Sequence, residues 1–169
     1  GLTGRAADLD RADQLAMIDL NVRALTELSL AFVDQLARHK GGILNVASLA
    51  SFLPAPGMAV YYATKAYVLS FSEALHVELR RKGVRVTALC PGPVPTEFQA
   101  RAGLTGSRRG SLLELSAAEV AEAGYHGFAA GKRLVVPGRL NKLVPLLTRI
   151  FPRALVLKVS DSRQKSRKT

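Results

Sequence analysis

The chain has little of what would point to a disulfide scaffold or a metal site. Its 169 residues include one cysteine, Cys90, and no tryptophan. A single cysteine cannot form an intrachain disulfide, so a small disulfide-stapled fold is excluded. The histidines His39, His76 and His126 are not spaced as ligands of one metal ion, either with one another or with Cys90. We therefore expect no bound metal.

Long hydrophobic runs are also missing. No uncharged apolar stretch reaches about 18 residues, so a membrane-spanning helix is not predicted. Gly1 is not followed by the basic and apolar segments of a signal peptide, and we expect a cytoplasmic protein. A length of 169 residues with 48% hydrophobic and 22% charged residues suits one globular domain. We assign residues 1–158 to this domain and residues 159–169 to a basic tail.

Acidic residues are scarce. The chain has 13 Asp and Glu against 24 Lys and Arg, which gives a net charge of +11. Only 6% of residues are aromatic, too few for a base-stacking surface, so we expect no nucleic-acid partner. A solvated basic tail is the plainer interpretation of the C-terminal charge. Contact of residues 140–169 with an anionic membrane, at its inner face, is the functional alternative.

Apolar patterning predicts an alternation of helices and strands. Spacing of three and four residues predicts helices over 10–38, 61–81 and 116–130, and short apolar runs predict strands over 43–47, 84–89 and 134–136. Glycine and proline predict loops over 50–60 and 93–115. Such apolar strands between helices are typical of a parallel sheet with helices on both faces. The small residues of helix 61–81 predict its packing face, namely Ala63, Ala66, Tyr67, Ser70, Phe71, Ala74 and Leu75.

Polar residues follow two of these strands. Ser48 ends the first, residues 91–96 end the second, and Tyr61 and Lys65 begin the second helix. The carboxyl ends of parallel strands share one edge, where α/β proteins place their sites. Tyr61 and Lys65 lie one turn apart, so the lysine is predicted to lower the pKa of the phenol and suit it to proton transfer. A partly buried tyrosine beside an exposed lysine is the structural alternative.

Together these residues resemble the short-chain dehydrogenase/reductase family. The segment 45–48, Asn-Val-Ala-Ser, resembles its strand-end serine motif, and Tyr61-x-x-x-Lys65 resembles its catalytic motif. The segment 21–24, Asn-Val-Arg-Ala, resembles its helix asparagine motif, and residues 90–96 resemble its Pro-Gly turn and nicotinamide-contacting threonine. Gly1 resembles the last residue of an Asn-Asn-Ala-Gly motif. The resemblance covers residues 1–100 closely and the following part loosely.

The resemblance implies hydride transfer between NADP or NAD, with NADP favoured, and a carbonyl or alcohol substrate. Tyr61 would be the general acid in reduction, and Ser48 would hold the substrate oxygen beside it. Lys65 would lower the pKa of Tyr61 and bind the nicotinamide ribose, and Asn21 would support a proton-relaying water. The nicotinamide half of the cofactor would contact Gly1, Tyr61, Lys65, Pro91, Gly92, Val94 and Thr96. A polar cap at Ser48, a helix kink at Asn21 and a plain turn at 91–92 are the structural alternatives.

The resemblance is to only part of the family's fold. Family members begin with a strand, a glycine-rich turn and a helix that hold the pyrophosphate, and no such segment precedes Gly1. We therefore expect a partial doubly wound, Rossmann-like sheet, and we expect the isolated chain to be inactive. A truncated, inactive family member that acts as an interaction module is the alternative function. A basic nucleic-acid or membrane binder is a third.

Two further expectations concern surfaces. The helices over 10–38 and 61–81 resemble the family's four-helix dimer interface, and we expect a homodimer with Ala31, Val33, Val68 and Val77 on their outer faces. The segment after Val136 resembles that of members acting on hydrophobic or acyl-type carbonyls. Its leucine-rich part forms either a helix that closes the substrate pocket or an amphipathic surface for a membrane.

Overall fold

The computed structural model describes residues 1–98, 102 and 112–165, with side chains to residue 161. Its strands are β1 (Gly42–Val46), β2 (Arg85–Leu89) and β3 (Leu134–Val135). Its longer helices are α1 (Arg11–Ile18), α2 (Leu25–Ala31), α3 (Val33–Arg38), α4 (Ala59–Arg80), α5 (Ala117–Ala129), α6 (Leu143–Ile150) and α7 (Arg153–Lys165). A π-helical segment (Asp19–Ala24) joins α1 to α2, and a 3₁₀ segment (Leu49–Phe52) follows β1. The middle of the predicted loop 93–115 and the end of the predicted tail lie outside the described residues.

The three strands form a parallel sheet in the order β1-β2-β3. Apolar side chains of α4 pack against one face, where Val68 and Leu69 contact Ala88 of β2. Helix α5 lies on the other face, where Gly124 and Gly127 approach the strands too closely for a side chain. The predicted α/β architecture, a parallel sheet with helices on both faces, is confirmed.

The buried face of α4 differs from the predicted one. The residues that it buries are Thr64, Val68, Leu69, Ser72, Leu75 and Leu79. The small residues predicted to pack inward are mostly exposed, and Val68, predicted on an outer face, is fully buried. Branched and long apolar side chains remove more surface from water than alanine and serine do, so the helix turns them toward the sheet. The small residues consequently form a smooth outer face.

The predicted helix 10–38 is not one regular helix. It changes to π-helical geometry at Asp19–Ala24 and is interrupted again at Phe32. Leu15, Ile18 and Phe32 belong to the apolar residues whose three- and four-residue spacing predicts this helix, and they are 54%, 38% and 49% exposed. A π-helical insertion rotates the residues that follow it, so one apolar stripe cannot stay on one side along the whole length.

The other predicted elements agree with the structure to within a few residues. Helix α5, predicted over 116–130, begins with a capping box, in which Ser116 Oγ accepts from Glu119 N at 3.2 Å and Glu119 Oε2 accepts from Ser116 N at 2.8 Å. Helix α7 continues past residue 158, and the division into domain and tail remains a prediction. Within the described ranges, every helix is too short or too polar to cross a bilayer.

Candidate active site

The main chain fixes Ser48 at the carboxyl edge of the sheet. Ala47 N donates to Leu89 O at 2.8 Å and Leu49 N donates to Pro91 O at 2.9 Å, so the pairing of β1 with the β2 chain continues on both sides of Ser48. Ser48 Oγ also accepts from Ala50 N at 3.1 Å and caps the 3₁₀ segment. The serine is therefore both a cap and a candidate site residue.

Tyr61 lies on the first turn of α4, near the Ser48 side chain. Its ring packs beside Tyr62 and Phe98, with centroids 5.9 Å and 5.3 Å away. Burial raises the pKa of the Tyr61 phenol above its ordinary value, and the nearby Ser48 side chain acts in the opposite direction. The structure thus brings together the two residues predicted to hold the substrate oxygen.

Lys65 lies next to this pair but is directed elsewhere. Its Nζ donates to Val46 O at 2.9 Å, 6.0 Å from the centroid of the Tyr61 ring. Burial lowers the pKa of the Lys65 ammonium. Desolvation is the largest influence on the Tyr61 phenol in this structure, and the Lys65 ammonium binds a carbonyl of β1. That Lys65 lowers the pKa of Tyr61 remains a prediction.

Asn21 reaches the same helix turn through a residue that the sequence analysis did not select. Asn21 Nδ2 donates to Thr64 Oγ1 at 3.1 Å, and Thr64 Oγ1 donates to Tyr61 O at 2.7 Å. Asn21 lies in the π-helical segment, a geometry that is frequent at functional sites. The place of Thr64 in the sequence, between Tyr61 and Lys65, was the available signal. The water-supporting role of Asn21 remains a prediction.

The turn after β2 supplies the next wall of the site. Pro91, Gly92 and Val94 are half-buried and Thr96 is exposed. A Cβ on Gly92 would lie 2.8–2.9 Å from the side-chain amide of Asn141 and from Leu113 O, so only glycine fits there.

Gly1 belongs to this neighbourhood too. A Cβ on Gly1 would lie 2.7 Å from the Phe98 ring and 3.4 Å from the Tyr61 ring. Two side-chain-free positions, a half-buried turn, a phenol and an ammonium therefore surround one edge of the sheet. The family resemblance assigns this set to the nicotinamide half of the cofactor, and that assignment remains a prediction. The glycine-rich turn that would hold a pyrophosphate is not part of this sequence.

Cys90 sits between these elements but has no reactive thiol. It is fully buried, and burial raises its pKa to about 12. A thiol with this pKa carries almost no thiolate at neutral pH. In the described part of the chain, no three His, Cys, Asp or Glu side chains are grouped to hold a metal ion.

Comparison with known proteins decides the family. Residues 1–105 match the sequence profile described as short chain dehydrogenase. The chain belongs to this family. It is 41% identical over 96 residues to the NADPH-dependent 1-acyldihydroxyacetone phosphate reductase of Schizosaccharomyces pombe. It is 44% identical over 95 residues to a sulfoacetaldehyde reductase of Chromohalobacter salexigens. These matches cover 57% and 55% of the chain but 32% and 38% of the relatives, so the chain matches about a third of each relative's length.

A solved member of the family has the same architecture. The short-chain dehydrogenase from Sphingobium yanoikuyae in complex with NADPH superposes with a TM-score of 0.75 at 28% identity. The superposition covers 91% of this chain and 63% of that protein. Family membership, predicted from the motifs, is confirmed. The roles assigned to individual residues remain predictions.

Proposed function

We propose that the complete protein is an NAD(P)-dependent oxidoreductase that interconverts a carbonyl and an alcohol. One observation carries this: the Ser48 side chain lies close enough to the Tyr61 phenol to act on its pKa, at the carboxyl edge of a parallel sheet and with the Lys65 ammonium beside them. The two curated relatives described above are both named reductases, which supports the reaction type.

Tyr61 is the proposed proton donor in reduction. Burial raises the pKa of the phenol, so it is protonated at neutral pH and has a proton to give to a carbonyl oxygen. Ser48 Oγ, near the phenol, can orient the same oxygen. The Asn21–Thr64 hydrogen bonds hold the main chain of Tyr61 in place. A bound nicotinamide cofactor supplies the hydride.

NADP is the proposed cofactor, with NAD as the alternative. The names of one relative and of the solved homologue include NADPH, which supports this preference. Lys65 and the turn at Pro91, Gly92, Val94 and Thr96 would hold its nicotinamide half, together with Gly1 and Tyr61. Much of a dinucleotide's affinity comes from its pyrophosphate on a glycine-rich helix start. We therefore propose that residues 1–169 alone are inactive.

Turnover of the complete protein tests this function. NADPH and NADH are each supplied with a panel of aldehydes and ketones, and oxidation of the cofactor is followed by its absorbance. The proposal expects turnover by the complete protein, and neither turnover nor tight cofactor binding by residues 1–169 alone. Turnover by the isolated chain would refute its inactivity. An inactive complete protein that binds no cofactor would favour the interaction-module alternative.

A hydrophobic or acyl-type substrate is the proposed class. Helix α6 packs against the 3₁₀ segment that follows Ser48, and Val144 and Phe52 both contact the adjoining core. This places an apolar helix next to the position of the substrate oxygen. With carbonyl substrates of increasing chain length, we expect kcat/KM to rise, because added methylenes bury more apolar surface. A preference for short polar aldehydes would contradict the proposed class.

Helices α6 and α7 support a proposal of peripheral membrane contact. Helices α6 and α7 expose large apolar side chains, including Leu146, Ile150 and Leu155, next to Arg149 and Arg153. Apolar and basic side chains on one segment suit an anionic bilayer surface. The complete protein should sediment with phosphatidylserine vesicles more than with phosphatidylcholine vesicles. The R149E/R153E variant should lose this difference, and equal sedimentation by the unsubstituted protein would refute the contact.

We also propose a homodimer of the complete protein. The outer face of α4 is smooth and uncharged over Ala63, Ala66, Ser70 and Ala74, and it ends in Val77, which is 66% exposed. Leu20 and Leu28, on the neighbouring π-helical segment and α2, are 70% and 60% exposed. Small side chains allow helices of two copies to approach closely, and the exposed leucines add apolar area.

A further inference from the structure

Asn141 is a buried asparagine between β3 and α6 that the catalytic motifs do not include. Its side chain is 1% exposed. Asn141 Nδ2 donates to Pro137 O at 2.8 Å and to Leu113 O at 3.1 Å. These two carbonyls belong to segments that are far apart in sequence, so one amide group ties the end of β3 to the chain that precedes α5.

The same amide lies against the turn of the candidate site. A Cβ on Gly92 would lie 2.8 Å from Asn141 Nδ2 and 2.9 Å from Asn141 Oδ1. Leu115 N donates to Pro93 O at 3.3 Å, which adds a second link between the turn and the segment preceding α5. The turn after β2 is therefore packed against Asn141 on one side and hydrogen-bonded to Leu115 on the other.

The two ends of the Asn141 amide are not used equally. Asn141 Oδ1 is buried, and the described structure gives it no hydrogen-bond partner, which is unfavourable. The contribution of the side chain therefore lies in its two N–H groups, whose loss would leave the carbonyls of Pro137 and Leu113 without this donor. What the amide adds is direction, because its two N–H groups fix two carbonyls relative to Gly92.

We propose that Asn141 is a positioning residue, which acts through the turn at Pro91 and Gly92 to hold the nicotinamide-facing wall of the site. This role rests on the proposed oxidoreductase function. The amide joins three segments that are separate in sequence, so its loss lets the turn move relative to Ser48 and Tyr61. A small displacement of a bound reactant lowers kcat steeply, since reaction requires close alignment.

Asn141→Leu in the complete protein tests the proposal, with Thr87→Val as the matched control. Thr87 is also fully buried, and its Oγ1 donates to Lys132 O at 2.6 Å in the same sheet. Both substitutions keep side-chain size. Asn141→Leu removes two hydrogen bonds to main-chain carbonyls, and Thr87→Val removes one. Each variant is measured for melting temperature, kcat and KM with NADPH, and hydrogen exchange of the Leu115 amide.

Asn141→Leu should speed exchange at Leu115 about tenfold and lower kcat about tenfold or more, because both depend on a fixed turn. Thr87→Val should lower the melting temperature while leaving both readouts within about twofold of the unsubstituted protein, since local stability is not uniform. If Asn141→Leu does not fold, Asn141→Ser, which keeps one donor, should show the same two changes at smaller size.

Three results would be decisive against the proposal or its basis. Unchanged exchange at Leu115 would overturn it whatever the activity. Faster exchange with unchanged kcat would show that Asn141 anchors the segment without positioning the site. An unsubstituted protein that is inactive with both cofactors would overturn the proposed function instead, and the exchange comparison would still decide whether Asn141 holds the turn.

Discussion

The part of the molecule before residue 98 and the part after residue 112 are built differently. In the first part, the candidate site is half-buried and hydrogen-bonded to the main chain at Ser48, Lys65 and Thr64. In the second part, helices α6 and α7 leave many large apolar side chains exposed, with Ile150 at 68%. The family profile matches residues 1–105, which include the first part and little of the second. The proposed chemistry therefore lies on sheet-bound elements, and surface features that suit a substrate or a membrane lie on the helices that follow.

Asn141 is the exception in the second part. It is buried, it is hydrogen-bonded to Leu113 O, and it packs against Gly92 in the turn after β2. The groups that would carry out the reaction thus lie in the first part, and the groups that would hold or cover them lie in the second.

Removing the Tyr61 hydroxyl should have the largest effect. Tyr61→Phe in the complete protein should lower kcat by about 10²–10⁴-fold while cofactor binding persists, because the ring still fills its place beside Phe98. Steady-state rates and cofactor titration measure the two effects. Tyr62→Phe, on the neighbouring ring, is the control and should change kcat little. Near-normal turnover by Tyr61→Phe would mean that the phenol is not the proton donor, and the reaction could not be assigned to the first part of the molecule.

A charge on the outer face of α4 should break the proposed dimer. Ala66 is exposed at the centre of the smooth face, so Ala66→Glu should convert the complete protein to a monomer, because an interface would bury the carboxylate without a partner. Light scattering measures the mass. Lys82→Glu, beyond the end of α4, is the control and should leave the dimer intact. A monomeric unsubstituted protein would refute the homodimer directly.

Breaking the hydrogen bonds between the π-helical segment and α4 should have an intermediate effect. Asn21→Ala and Thr64→Val each interrupt the connection to Tyr61 O, and we expect each to lower kcat about tenfold. The double variant should be little worse than either single variant, since both substitutions remove one connection. Additive losses in the double-mutant cycle would mean that the two residues act separately.

The sequence selected candidate site residues but did not predict their contacts. Ser48, Tyr61 and Lys65 lie in short local motifs, so their order along the chain was enough to select them as candidates. The direction of the Lys65 ammonium depends on a carbonyl of Val46, which is 19 residues away. Asn141 could not be found by spacing, because its partner Leu113 is 28 residues away and lies in a loop without a regular pattern.

For the fold as well, the sequence predicted where most elements lie better than how they pack. Apolar runs and capping residues located the strands and most helices, since these are local signals. The orientation of α4 was mispredicted, because the small residues on one side of the helix suggested close packing there. The larger side chains of Val68, Leu75 and Leu79 are buried in the core instead. The π-helical segment was not predicted either. Asn21 of this segment is hydrogen-bonded to Thr64, 43 residues further along the chain, and local patterns do not show such a contact.

The smallest predicted effect concerns the ionisation of Tyr61 without cofactor. The phenol is neutral when protonated, and burial raises its pKa above the ordinary value of 10.0. The folded protein therefore keeps the proton more strongly than the unfolded chain. The associated stability is present below pH 10.0 and is lost as the pH rises through the folded-state pKa.

Tyrosinate absorbance during an alkaline titration measures this ionisation. The difference between the unsubstituted complete protein and its Tyr61→Phe variant gives the titration of Tyr61 alone, and we expect its midpoint above 10.0. Lys65→Met should leave the midpoint nearly unchanged, because the ammonium binds Val46 O and lies 6.0 Å from the ring centroid. A midpoint near neutrality that rises in Lys65→Met would mean that the lysine lowers the pKa of the Tyr61 phenol. The first part of the molecule would then be ready for proton transfer before any cofactor binds.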